Sequence, residues 1–352
     1  MKKNTVLITG GSGFVGSHLV DYLLEKTNDN IVILDKIKPA QSLHKRVAYF
    51  QADIRNEKDV FDVFKKFGPF STIYHLASAM PNKEVSNKAI LETNIIGTRN
   101  LIQESARNHV KTFVFTSSNV TYGIPKELPV TEQTEPLPLE TYGKSKILAE
   151  KELEKFKDKI SIQILRCPVI SGTGRLGLQA ILFEFISENK NIYVLGSGSN
   201  KYQFVDVMDV CSALEKASHM KGFEIYNIGA DNVLTLRQLY EEVIHFAKSS
   251  SKIIGIPYGP SLFFMSLLDK LNLSPLGVYQ YTMIGRSIYY DTKKIKKQLH
   301  WQPKMTNLDT FIENYKWYLA HKGQFTEIGS GDFSANRSLP KMGILKLLKV
   351  FS

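Results

Sequence analysis

The first two-thirds of the chain alternates short, unbroken apolar runs with longer stretches in which apolar positions recur every three or four residues. VLIT at 6–9 precedes a helical pattern from about Phe14 to Lys26, IVILD fills 31–35, and VAYFQAD at 47–53 precedes a helical pattern near 56–67. TIYHLA at 72–77 leads to a long helical pattern near 88–108, VKTFVFTS at 110–117 to another at about 141–157, and ISIQILR at 160–166 ends the series. Apolar runs without polar alternation are strands buried on both faces, as in a parallel sheet. Right-handed helical crossovers between such strands build a doubly wound α/β sheet of the Rossmann type.

Beyond Arg166 the rhythm changes. Gly and Ser cluster in SGTGRLG (171–177) and GSGSN (196–200), and strand-like YQFVDV (202–207) and EIYNIG (224–229) flank a helical pattern. From about 250 the chain is rich in Pro and aromatics, with a strongly apolar helical stretch at 261–273. The organisation expected is a doubly wound domain over 1–170 completed by 202–230, a smaller discontinuous lobe from 171–201 and 231–320, and a tail over 321–352. Residues 322–338 are polar and aperiodic, the composition of a loose segment.

A chain of 352 residues with 43% hydrophobic content can bury a large core. Its two cysteines, Cys167 and Cys211, sit among apolar neighbours. Two are too few for a disulfide framework and read as buried thiols of a reducing compartment. No apolar run reaches the ~18 residues of a membrane span, and MKKNTVLITGG lacks the hydrophobic stretch of a signal peptide. A cytoplasmic protein is expected. The net charge of +11 suits an anionic substrate or a membrane surface. The lysines are scattered and not interleaved with aromatics, which argues against nucleic acid.

TGGSGFVG (9–16) lies between a predicted strand and a predicted helix. Gly11, Gly13 and Gly16 have the dinucleotide fingerprint spacing, and Gly10 gives a second register. Such a loop makes a tight turn, lets a pyrophosphate approach the backbone, and presents it to a helix N-terminus. Asp35 ends the next strand about 20 residues on, where an acid holds a ribose diol. An acid there favours NAD, and Lys36 beside it keeps NADP open. Asp53 and Ile54 end the third strand and are placed to face the adenine; Asp53 in the plainer reading caps a helix.

TYGKSK (141–146) opens an amphipathic helix, so Tyr142 and Lys146 share one face. A phenol with an ordinary pKa near 10 is a poor base at neutral pH. A neighbouring ammonium and a nicotinamide cation both stabilise phenolate. Together TGGSGFVG, Asp35, Asp53, HLAS (75–78), Asn94, TSSNVTYG (116–123), YGKSK and LHWQP (299–303) resemble the extended short-chain dehydrogenase/reductase family. Its nearest branches are the nucleotide-sugar epimerases and the 3β-hydroxysteroid dehydrogenase-like enzymes. The resemblance implies Ser118, Tyr142 and Lys146 as the catalytic set. It implies a cofactor site of Gly10, Gly13, Phe14, Val15, Gly16, Asp35, Lys36, Asp53, Ile54, Leu76, Ala77, Ser78, Asn94, Thr116, Tyr142, Lys146, Cys167 and Val169. For His75 the residues favour a core histidine.

In the family's sugar 4,6-dehydratases the hydroxyl residue is followed by Asp-Glu, and its decarboxylases want a Glu at the second of these positions. Here Asn119 and Val120 stand there. An amide cannot shuttle a proton and valine has none to give. What remains is hydride transfer, out and back as an epimerase or one way as a dehydrogenase. A non-catalytic NAD sensor is a third reading, against which the Tyr–Lys pair argues. No metal is expected.

The substrate side departs from the sugar-enzyme pattern. RCPVISGTG (166–174) replaces Arg-Tyr-Phe-Asn, and Tyr202 stands where an Arg contacts diphosphate. Arg175, Lys201 and Arg286 are the candidate anion contacts, since a buried diphosphate needs charge-assisted partners. Met80, Ser118 and Asn119 complete the expected substrate set, with a UDP-sugar as the small-molecule ligand. Asp206 and Asp209 match a family segment that is mainly structural. LPKMGILKLLKVFS (339–352) places Ile344, Leu345, Leu348 and Phe351 on one helical face with Lys346 and Lys349 beside it, a pattern suited to a membrane surface or to docking on the body. Family members commonly dimerise through the helices near 88–108 and 141–157, so a homodimer is expected.

Overall fold

A computed structural model describes residues 3–39, 42–81, 85–270 and 278–322. The first half runs β1 (Thr5–Thr9), α1 (Phe14–Lys26), β2 (Asn30–Asp35), β3 (Val47–Gln51), α2 (Glu57–Phe67), β4 (Thr72–His75), α3 (Asn87–Leu91), α4 (Gly97–Arg107), β5 (Thr112–Ser118), α5 (Thr141–Glu154) and β6 (Ser161–Cys167). There follow β7 (Val169–Ser171), α6 (Gln179–Ser187), β8 (Ile192–Leu195), β9 (Phe204–Asp206), α7 (Val207–Ala217), β10 (Phe223–Asn227), α8 (Leu236–Phe246), β11 (Ile253–Ile256), α9 (Tyr258–Lys270), α10 (Val278–Met283), α11 (Lys293–Leu299) and α12 (Asn307–His321).

The central sheet has seven strands in the order β10-β6-β5-β4-β1-β2-β3, all paired in parallel. This is the doubly wound order expected for a Rossmann sheet, extended by β10. Successive side chains of a strand point to opposite faces. Val6, Ile8, Ile31 and Ile33 therefore join one core with Leu19 and Leu23 of α1 and Val210 and Leu214 of α7. Leu7, Val32 and Leu34 join the other, with Val63 and Phe64 of α2, Leu101 of α4 and Leu153 of α5. Burying each such side chain contributes about 1.5–3 kcal/mol, so both faces are locked in register.

A third core packs Phe183 of α6 and Leu239 of α8 on Phe311 and Tyr315 of α12, beside the two-stranded pairs β8–β11 and β7–β9. Capping boxes start α8 at Thr235 and α12 at Thr306. Within LHWQP, Trp301 is fully buried and its indole N–H donates to Asp209 O and Ser212 Oγ of α7.

Three sequence expectations are corrected in detail. YQFVDV is a strand only over Phe204–Asp206, because the Asp206 carboxylate accepts from Met208 N and starts α7. The helix near 88–108 is broken by a π-helical turn over Glu92–Ile96, where Gly97 N donates to Glu92 O. The helix from 141 ends at Glu154, after which Phe156 and Lys157 tighten onto Leu153 and Glu154. The apolar stretch from 261 is helical to Lys270. Residues 323–352, with the basic amphipathic segment, lie outside the described residues.

Candidate active site

The glycine loop closes β1 onto α1. Gly10 has φ +72, and a Cβ there would sit 2.7 Å from Ala77 N. A Cβ on Gly16 would overlap the Gly10 carbonyl oxygen. Gly13 N-caps α1 and supplies no side-chain acceptor, so the helix presents its first N–H groups to an incoming anion. Phe14 is buried and Val15 packs on the first core.

Asp35 lies at the end of β2. Its Oδ2 accepts from Ser12 N at 3.0 Å and its Oδ1 from Ile37 N at 3.1 Å. Burial raises its pKa, and those backbone donors and Lys36 partly oppose the rise. Lys36 reaches Asp53 at 3.3 Å. The Asp53 carboxylate is clamped by Arg55, whose Nε and Nη2 donate at 2.9 and 2.6 Å to Oδ2. Burial pushes the Asp53 carboxyl up, but the Arg55 hydrogen bonds and the Lys36 charge outweigh it and hold it at about 2. Ile54 is buried in the second core. Arg55 was missing from the sequence reading; its only signal there was a basic residue two places after Asp53.

Leu76, Ala77 and Ser78 follow β4, half-buried along the sheet's C-terminal edge. Asn94, on the π-helical turn, braces this segment. Its Oδ1 accepts from Ala79 N at 2.8 Å and from Ser78 Oγ at 3.1 Å, and its Nδ2 donates to Ala79 O at 3.0 Å and Ser145 Oγ at 2.9 Å. Asn94 thus joins the 78–79 segment to α5. His75 is buried and bridges Thr9 Oγ1 at 2.7 Å and Thr98 Oγ1 at 2.8 Å. Thr98 donates to Asn94 O, so it accepts from Nε2–H and Nδ1 accepts from Thr9. Burial and the Lys146 charge pull its pKa to about 3, and it is a neutral core histidine.

The catalytic candidates converge where β5 ends and α5 begins. A Cβ on Gly143 would lie 2.8 Å from Val120 O, and only a glycine lets the first turn of α5 approach the segment after Ser118 so closely. Ser118 Oγ donates to Asn119 Oδ1 at 3.3 Å. Lys146 is buried, its Nζ donating to Thr116 O at 3.0 Å and lying 4.6 Å from the Phe115 ring centroid and 5.8 Å from that of Tyr142. Burial pulls its pKa down to about 8, against the charges of Cys167 and Glu150. Cys167 is itself buried, and desolvation pushes its thiol up to about 12. Thr116 Oγ1 is buried without a hydrogen-bond partner. An orphaned hydroxyl beside Lys146, an uncapped helix N-terminus and a loop that a Cβ would block fit a dinucleotide lying from α1 to α5.

Asn119 is buried and its Nδ2 donates to Tyr290 Oη at 2.7 Å and Tyr279 Oη at 3.3 Å. Both tyrosines belong to a separate apolar cluster with Tyr122, Val130 and Ile288, and burial raises both phenols well above the ordinary value. Glu140, the residue before α5, accepts from Tyr279 N at 2.6 Å. No local pattern could have joined Asn119 to residues some 160 and 171 positions away. Arg175 lies over the Phe14 ring at 5.4 Å and 3.8 Å from Met80 Sδ, which brings it to the mouth of the glycine loop. Lys201 and Arg286 are exposed on adjoining segments, where Ile288 N donates to Lys201 O and Asn200 Nδ2 to Arg286 O. Val169 is exposed.

A seven-stranded parallel sheet with this glycine loop between β1 and α1 defines a dinucleotide-binding fold of the Rossmann type. Residues 6–229 match the model of the NAD dependent epimerase/dehydratase family, and the chain belongs to that family. It is an NAD-dependent enzyme, and NAD is its cofactor. It is 35% identical over 98% of its length to y4nG of Sinorhizobium fredii, of which it spans 85%. It is 27% identical over 90% of its length to UDP-glucose 4-epimerase of Lactobacillus helveticus, spanning 97% of that protein. In fold it is similar to UDP-glucose 4-epimerase of Thermotoga maritima with UDP-glucose (TM-score 0.74, 23% identity, 90% of this chain and 99% of that one). It is likewise similar to the Bordetella bronchiseptica enzyme WbmG in complex with NAD (TM-score 0.74, 17% identity, 91% and 95%).

Proposed function

We propose that the protein is a nucleotide-sugar 4-epimerase acting on a UDP-sugar through Tyr142, Lys146 and Ser118. What supports this is the placing of the Lys146 ammonium 5.8 Å from the Tyr142 ring centroid, with Asn119 and Val120 at the two positions after Ser118. Tyr142 takes the proton of a secondary sugar hydroxyl, Lys146 stabilises the phenolate, and Ser118 holds the substrate oxygen. NAD supplies the hydride acceptor and then the hydride donor. With no acid to drive elimination, the ketone would turn within the site so that its other face takes the hydride back, and Tyr142 would return the proton to its oxygen. Met80, Asn119, Arg175, Lys201 and Arg286 line the substrate side, and the remaining residues of the expected cofactor set hold NAD. In this reading 1–170 with 202–230 form the NAD domain, and 171–201 with 231–320 form the substrate lobe.

The test is the purified protein with UDP-glucose. Interconversion with UDP-galactose, or with another UDP-sugar pair, and no net NADH supports epimerisation. Net NADH formed only with a hydrophobic secondary alcohol supports the second reading, a one-way dehydrogenase, which Tyr202 in place of an arginine favours. Two further features belong to this proposal. A cytoplasmic homodimer through α4 and α5 would cover the exposed Leu148. A membrane surface is a partner for the basic amphipathic pattern of 339–352 and, independently, for α9, where Phe263, Phe264 and Leu267 are 74%, 55% and 44% exposed. Retained vesicle binding after deletion of 339–352 would assign the contact to α9 alone, and no vesicle binding by the full chain would remove it.

A further inference from the structure

One helical turn after Lys146, Glu150 is buried together with Arg166, their side chains 7% and 4% exposed. Arg166 Nη2 donates to Glu150 Oε2 at 2.6 Å and its Nε to Oε1 at 3.1 Å. Ser117 Oγ donates to the same Oε1 at 2.5 Å. Arg166 Nη1 donates to Tyr122 Oη at 3.0 Å, and Tyr122 donates in turn to Asn227 Oδ1 at 2.7 Å. The pair therefore ties α5 to β5, β6 and β10, at Ser117 between Thr116 and Ser118. A buried ion pair gives little net stability compared with apolar packing of the same volume, so its place here calls for another reason.

Lys146 is faced by Glu150 on its own helix, by Cys167 on β6, by His75 on β4 and by Tyr142. His75 is held neutral and the Cys167 thiol protonated at neutral pH. Glu150 is then the one strong opposing charge among them, and its two-point contact with Arg166 offsets part of it. Burial lowers the Arg166 pKa, but the hydrogen bonds and charge of Glu150 outweigh it and keep the guanidinium charged.

We propose that the Glu150–Arg166 ion pair is a positioning device for catalysis: it fixes α5 against β5 and lets the Lys146 charge act on Tyr142 with less opposition. The inference rests on Tyr142 being the base.

The phenolate of Tyr142 is read without any sugar, by ultraviolet difference absorption of the NAD-loaded protein against the same background carrying Tyr142→Phe. Glu150→Gln removes a negative charge and should move the Tyr142 midpoint to lower pH. Arg166→Gln removes a positive charge and should move it to higher pH. Each shift should be about half a unit to one unit, the size for a unit charge ~12 Å away, eight residues along a helix, at an effective dielectric of ~20–40. The double variant Glu150→Gln/Arg166→Gln should return to the starting midpoint. Arg166→Lys keeps the charge and should not move the midpoint, which preserves the test if a single neutral variant fails to fold. Shifts of the same sign, no shifts, or a shift in Arg166→Lys as large as in Glu150→Gln overturn the proposal. A Tyr142 that titrates low in the wild type without those opposed shifts sinks the ion-pair role alone. A Tyr142 that never titrates below its ordinary range sinks the base assignment and this proposal with it.

Discussion

Replacing Lys146 with methionine should stabilise the protein at neutral pH and do so less as the pH rises. The ammonium is buried, and its pKa falls from 10.5 to about 8. At about 1.4 kcal/mol per unit, keeping it charged costs the folded state ~3 kcal/mol. Methionine removes that cost but leaves the Thr116 carbonyl without its donor at 3.0 Å, a loss of roughly 1–3 kcal/mol. The net gain at pH 7 is therefore small, and the pH dependence is the cleaner quantity. The folded pKa lies below the unfolded one, so the unfolded chain binds more protons between about pH 8 and 10.5 and wild-type stability rises across that window. The carbonyl term does not vary with pH. Urea unfolding of both proteins without added NAD should show the variant's relative advantage shrinking by about 2 kcal/mol between about pH 7 and 9.5. An advantage that stays flat or grows over that range would refute the reasoning that Lys146 is a desolvated cation.

Gly16→Ala should abolish NAD binding and strongly destabilise the fold, because its Cβ would meet the Gly10 carbonyl oxygen; equilibrium dialysis with NAD and the thermal midpoint report this. Asn119→Ala strips the Tyr290 and Tyr279 hydroxyls of a buried donor and should cost about 1–3 kcal/mol in urea unfolding. A sugar deuterated at the epimerised carbon should keep its deuterium through turnover in ordinary water, read by mass spectrometry; washout would point to a proton, not a hydride, being moved.

The sheet was legible because its strands are buried on both faces, so VLIT, IVILD and TIYHLA carry no polar alternation to confuse them with loops. α1 was legible, from about Phe14 to Lys26, because a glycine loop precedes its apolar repeat. The π-helical turn at Glu92–Ile96 left no mark in the periodicity, since one inserted residue changes a 3.6-residue repeat very little. The Tyr–Lys pair was visible through helical spacing. Its surroundings were not: Arg166 and Ser117 meet Glu150 only after three separate elements pack, and Tyr279 and Tyr290 reach Asn119 from the far end of the chain. Arg55 was overlooked because the resemblance draws attention to Asp53 and not to the cation that fixes its charge.

The account turns on one aromatic hydroxyl acting as the proton acceptor. The direct measurement is turnover of UDP-glucose by Tyr142→Phe, with NAD binding and the thermal midpoint recorded on the same preparation. Turnover should fall at least ~10²–10⁴-fold, the scale of a lost general base, while NAD binding and folding persist. Turnover within a few-fold of wild type would contradict the account.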